Sequence, residues 1–334
     1  MKEMLKKYNL QLFANPNTNV TTANTQGNNL SAEMKTYYSD YLIDNAEPNL
    51  VHDQFGQKHP IPKNGGKTIE FRKFLPLGKA LNPIEEGVTP DGKSLDVTKL
   101  EATVQQYGDY VTLSDVIQLT AIDNMLLETT KLLGHQAGLT LDTVTREILH
   151  GGTSAIFSGG KSARASLTAS DKLTVDDIYK AARLLKTNNT PKIEGGYVAI
   201  IHPDVAYDLM RSEEWVDVHK YSATKEIFEG EIGKIAGVRF VETTEAKIFP
   251  KGAENNSSIN VYSTLVLGAN AYGVTEITGG GLQHIVKQLG SGGTSDPLNQ
   301  RGTAGWKATK VAEILVDAYM TRIESASTFD SNGN

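Results

Sequence analysis

The chain has 334 residues, enough for about two domains, and its 39% hydrophobic and 22% charged content can build a sizeable core. Lys and Arg total 33 against 39 Asp and Glu, a net charge of −6. This argues against a dedicated nucleic-acid binder with a basic face, but not against a wall that encloses nucleic acid without gripping it. The absence of cysteine excludes disulfides, thiolate metal sites and cysteine nucleophiles in this chain, and no apolar run approaches the roughly 20 residues of a membrane helix.

Residues 1–14 carry early lysines, but Tyr8, Asn9 and Gln11 interrupt the apolar positions, so the stretch does not read as a signal peptide. Residues 15–30 are polar, rich in Asn and Thr, and by themselves have too little to bury to fold. Met34, Tyr37, Tyr38, Tyr41 and Leu42 then recur at helical spacing until Pro48 stops the pattern, giving an N-terminal arm over 1–59 with one short helix. Residues 60–114 form a long extended arm. In its first β segment, 67–75, Ile69 and Phe71 alternate with Thr68, Glu70 and Arg72, and Phe74 falls out of phase, which predicts a bulge. In its second, 97–113, Leu100, Ala102 and Val104 share a face before Tyr107, Val111 and Leu113 take over. Pro76, Gly78, Pro83, Gly87, Pro90 and Gly92 punctuate the loop between them, with a turn signature at Thr89-Pro-Asp-Gly92. Such an arm buries little against itself; it is expected to be ordered by lying across another copy of the same chain.

The longest helix follows, with Leu126, Leu133, Ala137, Leu141, Val144 and Ile148 at 3–4 spacing, Asn124 as its cap and Gly151-Gly152 as its end. About 25 residues make a rod of roughly 37 Å. Gly134 and Gly138 weaken its helix propensity but leave a smooth patch for another backbone. A second helix starts at Thr174, with Asp177 completing a capping-box-like pair, Ile178, Ala181, Ala182 and Leu185 as its apolar face, and Asn188-Asn189 as its end. Residues 197–201 read as a buried strand, and Pro203 opens a short helix through Leu209. From Trp215 to Gln288 short strands alternate with turns, at 235–241, 260–267 and 282–288. A Gly- and Ser-rich loop over 290–303 leads to a last strand-like stretch, 306–323.

Little of this carries chemistry. Gly87-Val-Thr-Pro-Asp-Gly92-Lys93-Ser94 matches the phosphate-cradling pattern G-x-x-x-x-G-K-[ST], which requires a buried strand before it and a helix after it. Here 81–86 is no buried strand and 95–104 alternates like β, so the stretch reads as a Gly/Pro turn with a solvated lysine. None of the seven histidines makes an H-E-x-x-H pair, and His202-Pro-Asp204 reads as a helix start. Adjacent carboxylates at 85–86, 176–177 and 213–214 do not converge on one atom, and Asp176-Asp177 suits a helix N-terminus. No G-x-S-x-G elbow is present, and Gly279-Gly-Gly281 reads as a turn. No catalytic, metal or cofactor residue is assigned. Arg72, Lys73, Lys79, Glu85, Glu86 and Lys93 give the extended arm both signs of charge. They are the candidate inter-subunit contacts, able to set register and partner choice across an interface.

Several segments taken in order resemble one family: Phe71-Arg-Lys-Phe-Leu-Pro-Leu77, Glu86-Gly-Val-Thr-Pro90, Gln106-Tyr-Gly-Asp-Tyr-Val111 leading to Ser114-Asp115, Leu149-His-Gly-Gly152, Ile201-His-Pro-Asp204 and Gly233-Lys-Ile-Ala-Gly-Val-Arg-Phe240. The opening Tyr8-Asn-Leu-Gln-Leu-Phe-Ala14 adds to them. The chain is similar to the major capsid proteins of tailed bacteriophages, with the Hong Kong 97-type fold, and in particular to the coat-protein family typified by the podovirus N-four. The resemblance implies an α+β fold: an N-terminal arm (1–59), an extended β-hairpin loop (60–113) overlapping a neighbour, a peripheral domain with a spine helix (114–196), a mainly axial domain (197–303) and a C-terminal strand returning to the peripheral domain (304–334). It also implies pentamers and hexamers of the same chain in a virion shell assembled in the host cytoplasm. A portal protein and enclosed DNA bound without sequence specificity are implied as well, with no membrane and no cofactor. The 50–60 residues before the arm are too few for a cleaved scaffolding segment, so a separate scaffolding protein is expected. Two rival readings are an encapsulin-like compartment shell and a nucleotide-binding enzyme resting on 87–94.

Overall fold

The computed structural model describes residues 41–46, 50–60, 68–74, 77, 79–81, 83, 87, 92–120, 125–216, 231–250, 259–276, 281–293 and 296–330. The polar 15–30 stretch, most of the first helix, Asn124, Glu85, Glu86 and the tip residues Thr89-Pro-Asp91 lie outside the described residues, as does most of the Gly279–281 turn. The chain divides into two compact units.

One unit comprises Gly108–Ala137 and Leu282–Lys307 together with the helical residues 41–46 (α1). Its sheet has the order β12 (Leu282–Lys287), β13 (Arg301–Lys310), β4 (Gln105–Ser114), and α2 (Asp115–Thr120) follows β4. The 25-residue helix α3 (Met125–Leu149) begins here, within a residue of both ends expected from sequence. Gly134 meets the backbone its smoothness allows: a Cβ there would lie 2.8 Å from the Leu42 carbonyl oxygen of α1. Trp306 Nε1 donates to Gln136 Oε1 at 3.1 Å, and Gln136 Nε2 donates to Asp109 Oδ2 at 2.7 Å. The latter bond, followed by that from the Tyr110 N–H, holds the Asp109 carboxyl below its usual range.

The other unit comprises Pro48–Tyr107, Gly138–Gly281 and the C-terminal part from Ala308. Its main sheet runs β5 (Ala155–Phe157), β15 (Met320–Ser325), β10 (Val261–Leu267), β6 (Tyr197–Ile201), β8 (Val238–Glu242), β7 (Glu231–Ile235), with the short β9 (Ile248–Phe249) also on β10. One face carries α4 (Val175–Thr187) and α5 (Pro203–Met210): Ile178, Ala182, Leu185, Val205 and Leu209 pack on Tyr197, Ala199, Ile201, Phe240 and Ile323. The alternate positions Ile200, Leu265 and Leu267 pack with Leu149, Tyr272 and Met320. Both faces being covered explains the unbroken apolar run of β6.

Local chemistry sets the ends of the helices. Thr174 and Asp177 form a reciprocal capping box at the start of α4. At its end Asn189 takes a left-handed φ of 52°, with Asn189 N–H bonding Lys186 O and Thr190 N–H bonding Leu185 O, a Schellman motif. His202 caps α5, its Nδ1 accepting from the Asp204 N–H at 3.2 Å. Glu324 on β15 is fully buried, and Arg164 grips it with bonds of 2.6 and 2.8 Å. Burial alone would raise the Glu324 carboxyl, but the hydrogen bonds from Arg164 and Arg322 and their charges outweigh it and hold it low.

Four sequence expectations are corrected. The single strand over 235–241 is a hairpin, β7–β8, turned at Ala236-Gly237 with φ of 56° and 85°. Alanine rarely adopts a positive φ, so composition did not mark this turn. The single stretch over 306–323 is three strands, β13, β14 (Ala312–Ile314) and β15, each in a different sheet, with a 3₁₀ turn at Asp317–Tyr319. The β segment over 97–113 divides at Val104 into β3 (Val97–Thr103) and β4, again in different sheets. Trp215, taken to open the run of strands and turns, lies in a helical turn over 213–216 and packs edge-on against Phe240 at 5.5 Å.

Candidate assembly interface

The described part of the extended arm is a β-hairpin. β2 (Thr68–Phe74) pairs antiparallel with β3 in unbroken register from Thr68↔Thr103 to Phe74↔Val97. The out-of-phase Phe74 therefore marks no bulge; its backbone pairs with Val97 as the last rung of the ladder. On the inner face Ile69 and Phe71 cluster with Ala102, Leu100, Val311 and Leu315. Phe71 is only 1% exposed; His59 meets its ring edge-on at 4.9 Å, and a Cβ on Gly273 would come within 2.5 Å of it. Here glycine is required for close approach, and the hairpin root is fixed by one aromatic plug.

Beyond the root the character changes. Leu77, Leu81, Leu95 and Val97 are exposed, Leu81 by 80% and Leu95 by 65%. Four large apolar side chains of the outgoing and returning segments thus face water. On the outer face Glu70 sits 3.8 Å from Arg72 and 3.5 Å from Lys99, exposed pairs that contribute little to stability. Of the six charged candidates, Arg72 is in this ion-pair group, while Lys79 and Lys93 are exposed farther out. The Lys73 side chain, Glu85 and Glu86 lie outside the described residues.

The phosphate-loop pattern lacks its second half. Residues 92–96 are irregular and run into β3, where the pattern needs a helix. Among the described residues no group of His and carboxylate side chains is placed to hold a metal ion, and no helix is long and apolar enough to cross a membrane.

Sequence reasoning missed the polar anchor beneath the hairpin root. β1 (Gln57–His59) runs parallel to β11 (Tyr272–Thr275), and the residues just before it are tied to α3 and β13. Asp142 accepts from the His52 backbone N–H at 2.7 Å and contacts His52 Nδ1 at 2.7 Å. Thr145 donates to Asp53 at 2.6 Å, and the Lys310 ammonium pairs with the same carboxylate. The Tyr272 hydroxyl donates to His52 O; burial pushes that hydroxyl well up, and the charges of Asp53 and Asp142 add to the effect. No motif could have found this group, since its members are scattered from residue 52 to residue 310.

The family model for the phage capsid protein matches residues 129–295, half of the chain. The chain belongs to the phage capsid protein family. Solved structures agree on the fold. The capsid of Ralstonia phage GP4 is 17% identical with a TM-score of 0.66, covering 81% of this chain and 86% of its own. The capsid of cyanophage P-SCSP1u is 16% identical with a TM-score of 0.61, covering 84% and 89%. A related fold occurs in the SrpI encapsulin of Synechococcus elongatus, 12% identical, with a TM-score of 0.54 and coverage of 84% and 89%. No curated protein sequence matches the chain. The fold is thus the Hong Kong 97-type α+β capsid fold, and the chain is a bacteriophage major capsid protein, a structural component of the virion.

Proposed function

We propose that this capsid protein builds an icosahedral head from pentamers and hexamers, each subunit laying its β2–β3 hairpin across a neighbour. The observation that carries the reading is the contrast within the hairpin: a root plugged by Phe71 and a distal segment exposing Leu77, Leu81, Leu95 and Val97. A neighbour's surface would remove these side chains from water, at ~25 cal/mol per Å² of apolar area. Arg72, Lys73, Lys79, Glu85, Glu86 and Lys93 would then set register, since interfacial charges favour one alignment over others. Pentamers and hexamers of one chain need contacts that tolerate small changes of angle, which a slender hairpin on a firm root supplies.

In this reading residues 1–59 are an arm, 60–113 contain the overlapping loop, 114–196 are the peripheral domain, 197–303 mainly the axial domain, and 304–334 return to the peripheral domain through their last strand, β15. A separate scaffolding protein guides curvature, a portal occupies one vertex, and assembly takes place in the host cytoplasm. The net charge of −6 keeps packaged double-stranded DNA from adhering to the wall. The chain has no catalytic role.

The test replaces residues 75–96 by a short Gly-Ser turn and examines particles by electron microscopy with the cognate scaffold. The expected result is a folded subunit without closed shells; closed shells of normal yield refute the hairpin's role. The related encapsulin fold gives a second reading, a cargo compartment. A guest protein co-purifying inside particles made in the native host would favour it, whereas packaged DNA favours the phage head.

A further inference from the structure

We infer that Lys310 and Asp53 become joined by an isopeptide bond within a single chain. The two residues stand 257 positions apart, and the tertiary fold brings the Lys310 Nζ into contact with Asp53 Oδ2. The Lys310 side chain is fully buried and that of Asp53 is 9% exposed. An ammonium carries three donors, and among the described residues Asp53 is the only acceptor that Lys310 reaches. A buried ion pair offsets its desolvation only when the remaining protons are also satisfied. Among the described residues no acceptor stands within reach of the other two N–H groups.

The same site accommodates the uncharged alternative. Moving one proton from Nζ to Oδ2 leaves a neutral amine facing a carboxylic acid, the two species that condense. The Nζ lone pair forms a bond to Asp53 Cγ, and the Cγ–Oδ2 bond breaks. Oδ2 departs with its own proton and one from Nζ as water. No oxidant, metal or further reactant is required. Thr145 Oγ1 donates to Asp53 Oδ1 at 2.6 Å, so it polarises the carbonyl and stabilises the negative charge that develops on that oxygen during attack. Its alternative acceptor, Leu141 O, is more distant at 3.3 Å. In the product Oδ1 is an amide carbonyl that keeps the Thr145 bond, and the nitrogen retains one N–H rather than three.

The surroundings are largely buried. His52 and Asp142 occupy each other through two 2.7 Å contacts, and the fully buried Tyr272 closes over His52 O. A bond here ties the segment that precedes β1 to the end of β13, so it closes a loop over most of the chain.

The experiment is proteolytic peptide mapping by mass spectrometry of the full-length protein purified under denaturing conditions, with a denaturing gel to confirm a single-chain band. The expected result is one branched peptide joining Lys310 to Asp53, lighter by one water than its two linear parts, with cleavage after Lys310 blocked. Recovery of Lys310 and Asp53 in separate unmodified peptides overturns the inference. This readout needs no variant to fold. Thr145→Val is expected to raise the unjoined fraction several-fold at early times; joining as complete as in the wild type would refute the role of Thr145. Should Lys310→Met still yield a water-deficient Asp53 peptide, the lost water belongs to a cyclic imide and the bond is refuted.

Discussion

Acid should weaken this subunit through His150. The imidazole follows the end of α3, with Nδ1 2.7 Å from Arg146 O and Nε2 3.0 Å from Ser263 Oγ, and the Phe249 ring 6.2 Å away. A carbonyl oxygen can only accept, so Nδ1 carries a proton; in the neutral ring Nε2 then accepts from the Ser263 hydroxyl. Burial pushes its pKa from 6.5 down to about 4, with the bond to Arg146 O opposing and the nearby charge of His52 assisting. A depressed histidine pKa means the unfolded chain binds the proton more readily. Its contribution is therefore complete above pH 6.5 and is lost as pH falls from 6.5 toward 4. At 1.36 kcal/mol per pKa unit the full loss is about 3 kcal/mol, of which about 2 has gone by pH 5. Part of His150 stays accessible to water, so these are upper values. The assay is urea denaturation of the unassembled subunit at pH 7, 6 and 5, comparing wild type with His150→Asn. The variant should be less stable at pH 7 yet show a shallower fall toward pH 5. His202 and His284, also depressed by burial, titrate in both proteins and cancel. Equal slopes for the two proteins would refute the neutral, buried assignment.

Three further substitutions test the architecture. Thr174→Ala removes one half of the α4 capping box and should cost about 1 kcal/mol in denaturant stability, with Thr174→Ser recovering most of it. Gly134→Ala gains up to about 1 kcal/mol of helix propensity. Its methyl, however, would meet the Leu42 carbonyl oxygen at 2.8 Å, so the net effect is expected to be destabilising, read as a lower Tm. Phe71→Ala empties the plug at the hairpin root and should cost about 3–5 kcal/mol locally. The measurement is limited proteolysis, with cleavage in 68–103 accelerated while the main sheet keeps its circular dichroism; unchanged cleavage would mean the root is held by the strand ladder alone.

Much of this protein was legible along the chain because the signals are local. The apolar stripe from Leu126 to Ile148 gave α3, Thr174 with Asp177 gave the start of α4, and the alternation around Ile69 and Phe71 gave β2. The interface candidates were legible only in part. Arg72, Lys79 and Lys93 were visible as charges on an arm, but nothing local revealed that Gly273 clears space for Phe71. Strand division was also hidden. Residues 97–113 and 306–323 each read as one β stretch because β propensity is a property of side chains, whereas the breaks at Val104 and after Lys310 arise where consecutive strands join different sheets.

Sequence by itself thus determined the class, the long helix α3, the capping box of α4 and the strand alternation at the root of the arm. Only the tertiary structure decided where that arm is rooted and which buried charges hold the chain beside it. His52, Asp53, Asp142, Thr145 and Lys310 are unremarkable in sequence, and their chemistry depends on contacts spanning up to 257 positions. A low-dielectric interior gives such contacts their energy, and no spacing rule along the chain records which residues will share it.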